Sequence, residues 1–138
     1  MPAIRTDAIL CDGIHQEVNG KFILVGVMAG VLETNGPFFK SDFCLYVNFH
    51  GLPEGKHNID LKLTSPEKKS TQTQISAFIP EGVMGATLQI TGIPFNTEQS
   101  GSFVLSWKLS DSKKWTTLLE VPVELSVDMT EISALDES

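Results

Sequence analysis

From residue 115 to 127 the chain alternates almost without interruption. Trp115, Thr117, Leu119, Val121, Val123, Leu125 and Val127 fall on one parity, with Thr116, Glu120, Pro122, Glu124 and Ser126 on the other. A period of two places one face against a core and the other in water, so this run predicts a half-buried strand. Pro122 cannot donate a ladder hydrogen bond, which makes the strand an edge or bulges it there. The preceding run sends Phe103, Leu105, Trp107 and Leu109 inward and Ser102, Ser106, Lys108 and Ser110 outward, and Asp111-Ser112-Lys113-Lys114 turns it back as a hairpin. By the same reasoning Phe43, Leu45, Val47 and Phe49 alternate with Cys44, Tyr46, Asn48 and His50. Pro53-Glu54-Gly55 then predicts a second hairpin into Ile59, Leu61 and Leu63.

Weaker period-two segments cover 72–79 and 86–93. A short apolar strand is expected around Ala8 to Cys11, and Asn19-Gly20 reads as a type I′ hairpin turn. The strand that follows, Lys21 to Ala29, is apolar on both parities through Phe22, Ile23, Leu24, Val25, Val27 and Met28, which predicts a central strand covered on both faces. Gly26 and Gly30 mark a bulge or a close backbone approach. Strands recurring every ten to fifteen residues, with little helical periodicity, predict an all-β fold: a single antiparallel β-sandwich of about eight strands, immunoglobulin-like or C2-like, with a closed barrel as the alternative.

Composition agrees with one folded unit. The chain has 138 residues, 41% hydrophobic and 20% charged, enough apolar content for a core of its own. The net charge of −7 is uneven: Asp128, Glu131, Asp136 and Glu137 carry four of the negative charges, leaving thirteen acids against ten bases in the body. The division expected is a domain over 1–127 and an acidic, flexible C-terminal tail over 128–138. The longest basic runs are the pairs Lys68-Lys69 and Lys113-Lys114, which give no footprint for nucleic acid. No apolar stretch approaches the length of a membrane span, and Ala8 to Cys11 is too short for a signal-peptide core. A cytoplasmic protein is expected, with Cys11 and Cys44 as reduced thiols.

Candidate chemistry is sparse. Cys44, Asn48 and His50 share a strand parity and His57 follows the next turn, the most plausible metal-ligand grouping, yet compact pairs of the zinc type are missing. Glu120 and Glu124 lie on the wet face of one strand, and Asp12 and Glu17 flank the first turn with too few oxygen ligands for calcium. No G-x-S-x-G turn frames a nucleophile, and Gly82-Val83-Met84-Gly85 lacks the Lys-Ser/Thr of a phosphate loop. No catalytic, cofactor-binding or metal-ligating residue is therefore assigned, and no cofactor is expected.

The segment Ile9-Leu10-Cys11-Asp12-Gly13-Ile14-His15-Gln16-Glu17, then Asn19-Gly20-Lys21 and Leu24-Val25-Gly26-Val27, resembles the opening of a family of short bacterial proteins with no assigned activity. Gly101-Ser102-Phe103-Val104-Leu105 and Glu120-Val121-Pro122-Val123-Glu124-Leu125 are similar to its closing hairpin, and the chain departs from the family pattern at His15 and Met28. The resemblance implies a bacterial or phage-borne intracellular β-sandwich and implies no reaction.

The function expected is a non-enzymatic interaction module that binds a protein partner, or another copy of itself, through a strand edge or loop. The alternatives are a small-ligand, carbohydrate-type binding domain using Tyr46, Asn48, His50, Asp60 and Lys62, and an uncharacterised enzyme.

Overall fold

A computed structural model describes residues 4–126. The expected tail over 128–138 lies outside the described residues. Among those described, the fold is all-β, with nine strands: β1 (Arg5–Gln16), β2 (Phe22–Val27), β3 (Leu32–Thr34), β4 (Phe39–His50), β5 (Gly55–Thr64), β6 (Ser70–Ile79), β7 (Gly85–Thr97), β8 (Gly101–Leu109) and β9 (Thr116–Leu125). They form two sheets, one of order β2-β1-β4-β7 and one of order β3-β9-β8-β5-β6. The additional strand against the eight expected is β3, whose three residues are too few to show a period. It pairs parallel with β9, in contrast to the antiparallel ladders elsewhere.

The two sheets share one core. Phe43, Leu45, Val47 and Phe49 of β4 are buried, as their alternation predicts, and so are Phe103, Leu105 and Trp107 of β8. Aromatic rings join the sheets: Phe49 meets Trp107 edge-on at 5.0 Å and Phe95 meets Phe103 at 4.9 Å between centroids. Trp107 lies face-in with its indole Nε1 unpartnered.

The predicted β8–β9 hairpin forms, with Phe103 opposite Val121 and Leu105 opposite Leu119. Its register then slips, because Ser106 pairs with Thr117 and leaves Leu118 as an extra residue. A one-residue bulge reverses the side-chain parity beyond it. Trp115, expected inward, therefore lies on the outer face, where Lys62 Nζ stands 4.2 Å from its ring centroid. Pro122 is opposite Ser102, one residue before β3 begins to pair at Val123, so its missing donor costs no ladder bond to β3.

The second expected hairpin does not form. β4 pairs with β1 and β7, whereas β5 pairs with β6 and β8. Gly51, with φ of 92°, and the buried Leu52 account for the crossing. Leu52 is driven into the core at the end of β4, which carries the chain to the opposite sheet instead of back along its own.

The first turn also differs from expectation. Gly20 has φ of 89°, but Asn19 is not in the left-handed region that both central residues of a type I′ turn occupy. Glu17 N–H donates to Lys21 O at 2.7 Å and the Asn19 side-chain oxygen accepts from Lys21 N–H at 3.1 Å, closing a three-residue connection. Among the described residues, no helix is long and apolar enough to cross a membrane.

Candidate functional site

β2 is an edge strand, not the central one expected from its composition. Among the described residues only β1 pairs with it, through Gln16–Phe22, His15–Ile23, Ile14–Leu24, Gly13–Val25 and Cys11–Val27. The same β1 pairs with β4 through Arg5–Cys11, so β1 changes partner sheet-side near Asp12 and Gly13. Phe22 and Leu24 are half-buried, and the Phe22 ring meets Tyr46 of β4 edge-on at 5.6 Å. That contact brings β2 back towards β4 and uses one parity of the strand. The other parity stays open: Ile23, Val25 and Val27 are 46%, 48% and 53% exposed. Two-sided hydrophobicity thus reflects one satisfied face and one apolar face left in water, a feature that ordinarily marks an interaction surface.

Gly26 holds this geometry. Its φ of 67° suits glycine, and a Cβ there would stand 2.8 Å from Asp12 Cγ across the pair. Gly30, at φ of 80°, has open space around it and needs only the backbone freedom.

The other strand edges are protected. β7 presents Thr87, Gln89, Thr91, Pro94 and Asn96 outward, with a proline and a positive-φ Gly92 within it. β6 opens with Ser70-Thr71-Gln72-Thr73-Gln74, and β3 is three residues long. Further exposed apolar side chains, Phe38, Phe78, Val83 and Met84, sit at strand ends or in the β6–β7 loop and do not make a row along one strand.

The metal-type grouping is not assembled. His50 lies on β4 with its Nε2 2.8 Å from Asp7 Oδ2, while His57 lies on β5 with its Nε2 2.8 Å from the Pro53 carbonyl. Among the described residues, no group of three His, Cys, Asp or Glu is placed to hold a metal ion. The face suggested for a small ligand is likewise divided, since Tyr46, Asn48 and His50 belong to β4 and Asp60 and Lys62 to β5 in the other sheet. Glu120 and Glu124 are exposed on β9; Asp12 is exposed opposite Gly26, and Glu17 caps the first turn through its backbone.

Two features were not anticipated from the sequence. On the outer face of β5 and β8, the Ser110 hydroxyl donates to Asp60 Oδ1 at 2.7 Å, Lys108 Nζ sits 3.0 Å from Asp60 Oδ2, and Gln74 Nε2 reaches both Asp60 and Ser110. The Ser110 hydrogen bond first, then Lys108, hold the Asp60 carboxyl below its ordinary value. Asp60, Lys108 and Ser110 are each visible as polar positions, but their convergence depends on the β5–β8 pairing. The second feature is a cleft of about 420 Å³ between Phe39, Phe103, Leu63, Lys40, Lys69 and Thr97, where the Thr97 hydroxyl donates to Glu67 at 2.6 Å.

A comparison with curated proteins returns no match. A family model matches residues 6–127, nearly all of the chain, in agreement with the resemblance at both ends of the sequence. The chain belongs to DUF6941, a family of unknown function.

Proposed function

We propose that the protein is a non-enzymatic interaction module, working in the cytoplasm of a bacterial cell, that takes up an extended segment of a partner protein along β2. The two sheets are read as an immunoglobulin-like or C2-like sandwich that serves as a rigid support for this edge. The observation that carries the proposal is the row Ile23, Val25 and Val27, exposed along a strand whose outer edge is unpaired among the described residues. Strand addition supplies main-chain hydrogen bonds to such an edge, and alternate side chains supply specificity. Apolar residues on the incoming segment would cover the row and gain about 25 cal/mol for each Å² of apolar surface removed from water.

The experiment compares proteins retained from the native host extract by the full chain, by an Ile23→Lys/Val25→Lys variant and by a Thr71→Lys/Thr73→Lys variant on β6. The proposal expects a defined protein to be lost with the β2 variant and kept with the β6 variant. Retention by the β2 variant overturns it.

A small-ligand reading draws on a different observation: the β9 bulge turns Trp115 to the outer face beside the Asp60 cluster. Lys62 and Lys108 already engage the Trp115 ring, at 4.2 and 5.4 Å. A sugar stacking there would have to displace a lysine, which makes this the weaker reading.

A further inference from the structure

Cys11 and Cys44 are direct partners in the antiparallel ladder of β1 and β4. Their parity is opposite to that of the core residues Leu10 and Leu45, yet both are buried, Cys11 at 0% and Cys44 at 8% exposed. A single buried cysteine is ordinary packing. Two at one register position are a different matter, because opposed residues in an antiparallel pair have Cα atoms about 4.5–5.5 Å apart. That lies inside the range of roughly 4.4–6.8 Å that a disulfide spans. We propose that Cys11 and Cys44 form a modification site, closing reversibly into an intramolecular disulfide between β1 and β4.

Both thiols also point at the same stretch of backbone. Cys11 Sγ donates to Gly13 O at 3.4 Å and Cys44 Sγ donates to Asp12 O at 3.6 Å. Asp12 and Gly13 are where β1 leaves β4 for β2, and β7 carries a register shift on the other side of Cys44. The pair thus occupies a place where the sheet is already irregular and can adjust without breaking a regular ladder.

The oxidant is a small-molecule disulfide of the glutathione class. Burial, and then the neighbouring Cys44, push the Cys11 thiol above its ordinary value, so the first attack falls to Cys44, the less enclosed of the two. The Cys44 thiolate attacks one sulfur of the oxidant, forms a mixed disulfide and releases one small thiol. Cys11 then loses its proton to solvent and attacks Cys44 Sγ, releasing the second small thiol. Two protein S–H bonds are exchanged for one S–S bond, and the oxidant's S–S bond for two S–H bonds. Closure removes both S–H donors from the Asp12 and Gly13 carbonyls, which loosens the start of the β1–β2 hairpin and raises amide exchange over 12–16 and 22–27.

The test incubates the full chain in glutathione and glutathione-disulfide mixtures under native conditions, follows folding by tryptophan fluorescence, and maps peptides without reduction. The expected result is a Cys11–Cys44 linked peptide in folded, monomeric protein that disappears on reduction, with Cys11→Ser halting at a mixed disulfide on Cys44. A native chain that halts at the mixed disulfide, or whose thiols react only after unfolding, overturns the proposal. Mapping of the native chain decides the matter without any variant, and its outcome does not depend on whether β2 binds a partner.

Discussion

The two outer strands of the first sheet solve the same problem in opposite ways. β7 places Thr87, Gln89, Thr91, Pro94 and Asn96 towards solvent, and Pro94 removes a donor from its edge. β2 places Ile23, Val25 and Val27 towards solvent and contains no proline. An edge that is polar and carries a proline resists further pairing, whereas an apolar edge without one invites it. The same contrast extends inward: β7 buries Phe95 completely, while β2 has no fully buried residue. β7 belongs to the scaffold, and β2 is a surface that the scaffold holds out.

The largest effect that would sharpen this contrast is in the anchors. Phe95→Ala should cost about 3–5 kcal/mol by emptying a core site, whereas Val25→Ala should stay within about 0.5 kcal/mol. Urea denaturation of the two variants measures the difference, and equal losses would erase the distinction between the strands. Next come the glycines. Gly26 and Gly92 both have positive φ, 67° and 69°, but only Gly26 has a neighbour, Asp12, in the way of a Cβ. Gly26→Ala should cost about 2–3 kcal/mol and Gly92→Ala about 1–2 kcal/mol, again read from urea midpoints.

A control away from both edges is Asp60. Its folded value is depressed, so its stabilising effect is complete above the ordinary 3.8 and is lost as pH falls from there through the folded value. Asp60→Asn should flatten that acid limb of the stability–pH curve while leaving the two edges unchanged. The smallest stability change belongs to Ile23→Lys/Val25→Lys, within about 0.5 kcal/mol per site in the free protein, although this pair removes the apolar row.

Much of this was legible in the chain. The alternations through β4, β8 and most of β9 report which side chains are buried, because parity is a local property of a strand. Which strand lies beside which is not local. The apolar run Phe22–Met28 reads identically for a central strand and for an edge with one face spare, and only the Phe22–Tyr46 contact and the lack of a second neighbour among the described residues separate them. The Pro53-Glu54-Gly55 turn reads as a hairpin until the buried Leu52 beside it is seen to carry the chain across the core. Parity alone puts Trp115 on the wrong face because the extra residue at Leu118 is a property of the β8–β9 pair, not of either sequence alone. The Cys11–Cys44 pairing is hidden for the same reason, since two cysteines so far apart in the sequence carry no register.

The most direct test of the β2 account is amide hydrogen exchange on the full chain with and without the partner protein retained from the host extract. The account predicts slowed exchange across Phe22–Val27 on binding, with the β7 edge, Gly85–Thr97, unchanged. Slowed exchange around Trp115 and the β5 face, with β2 unaltered, would contradict it.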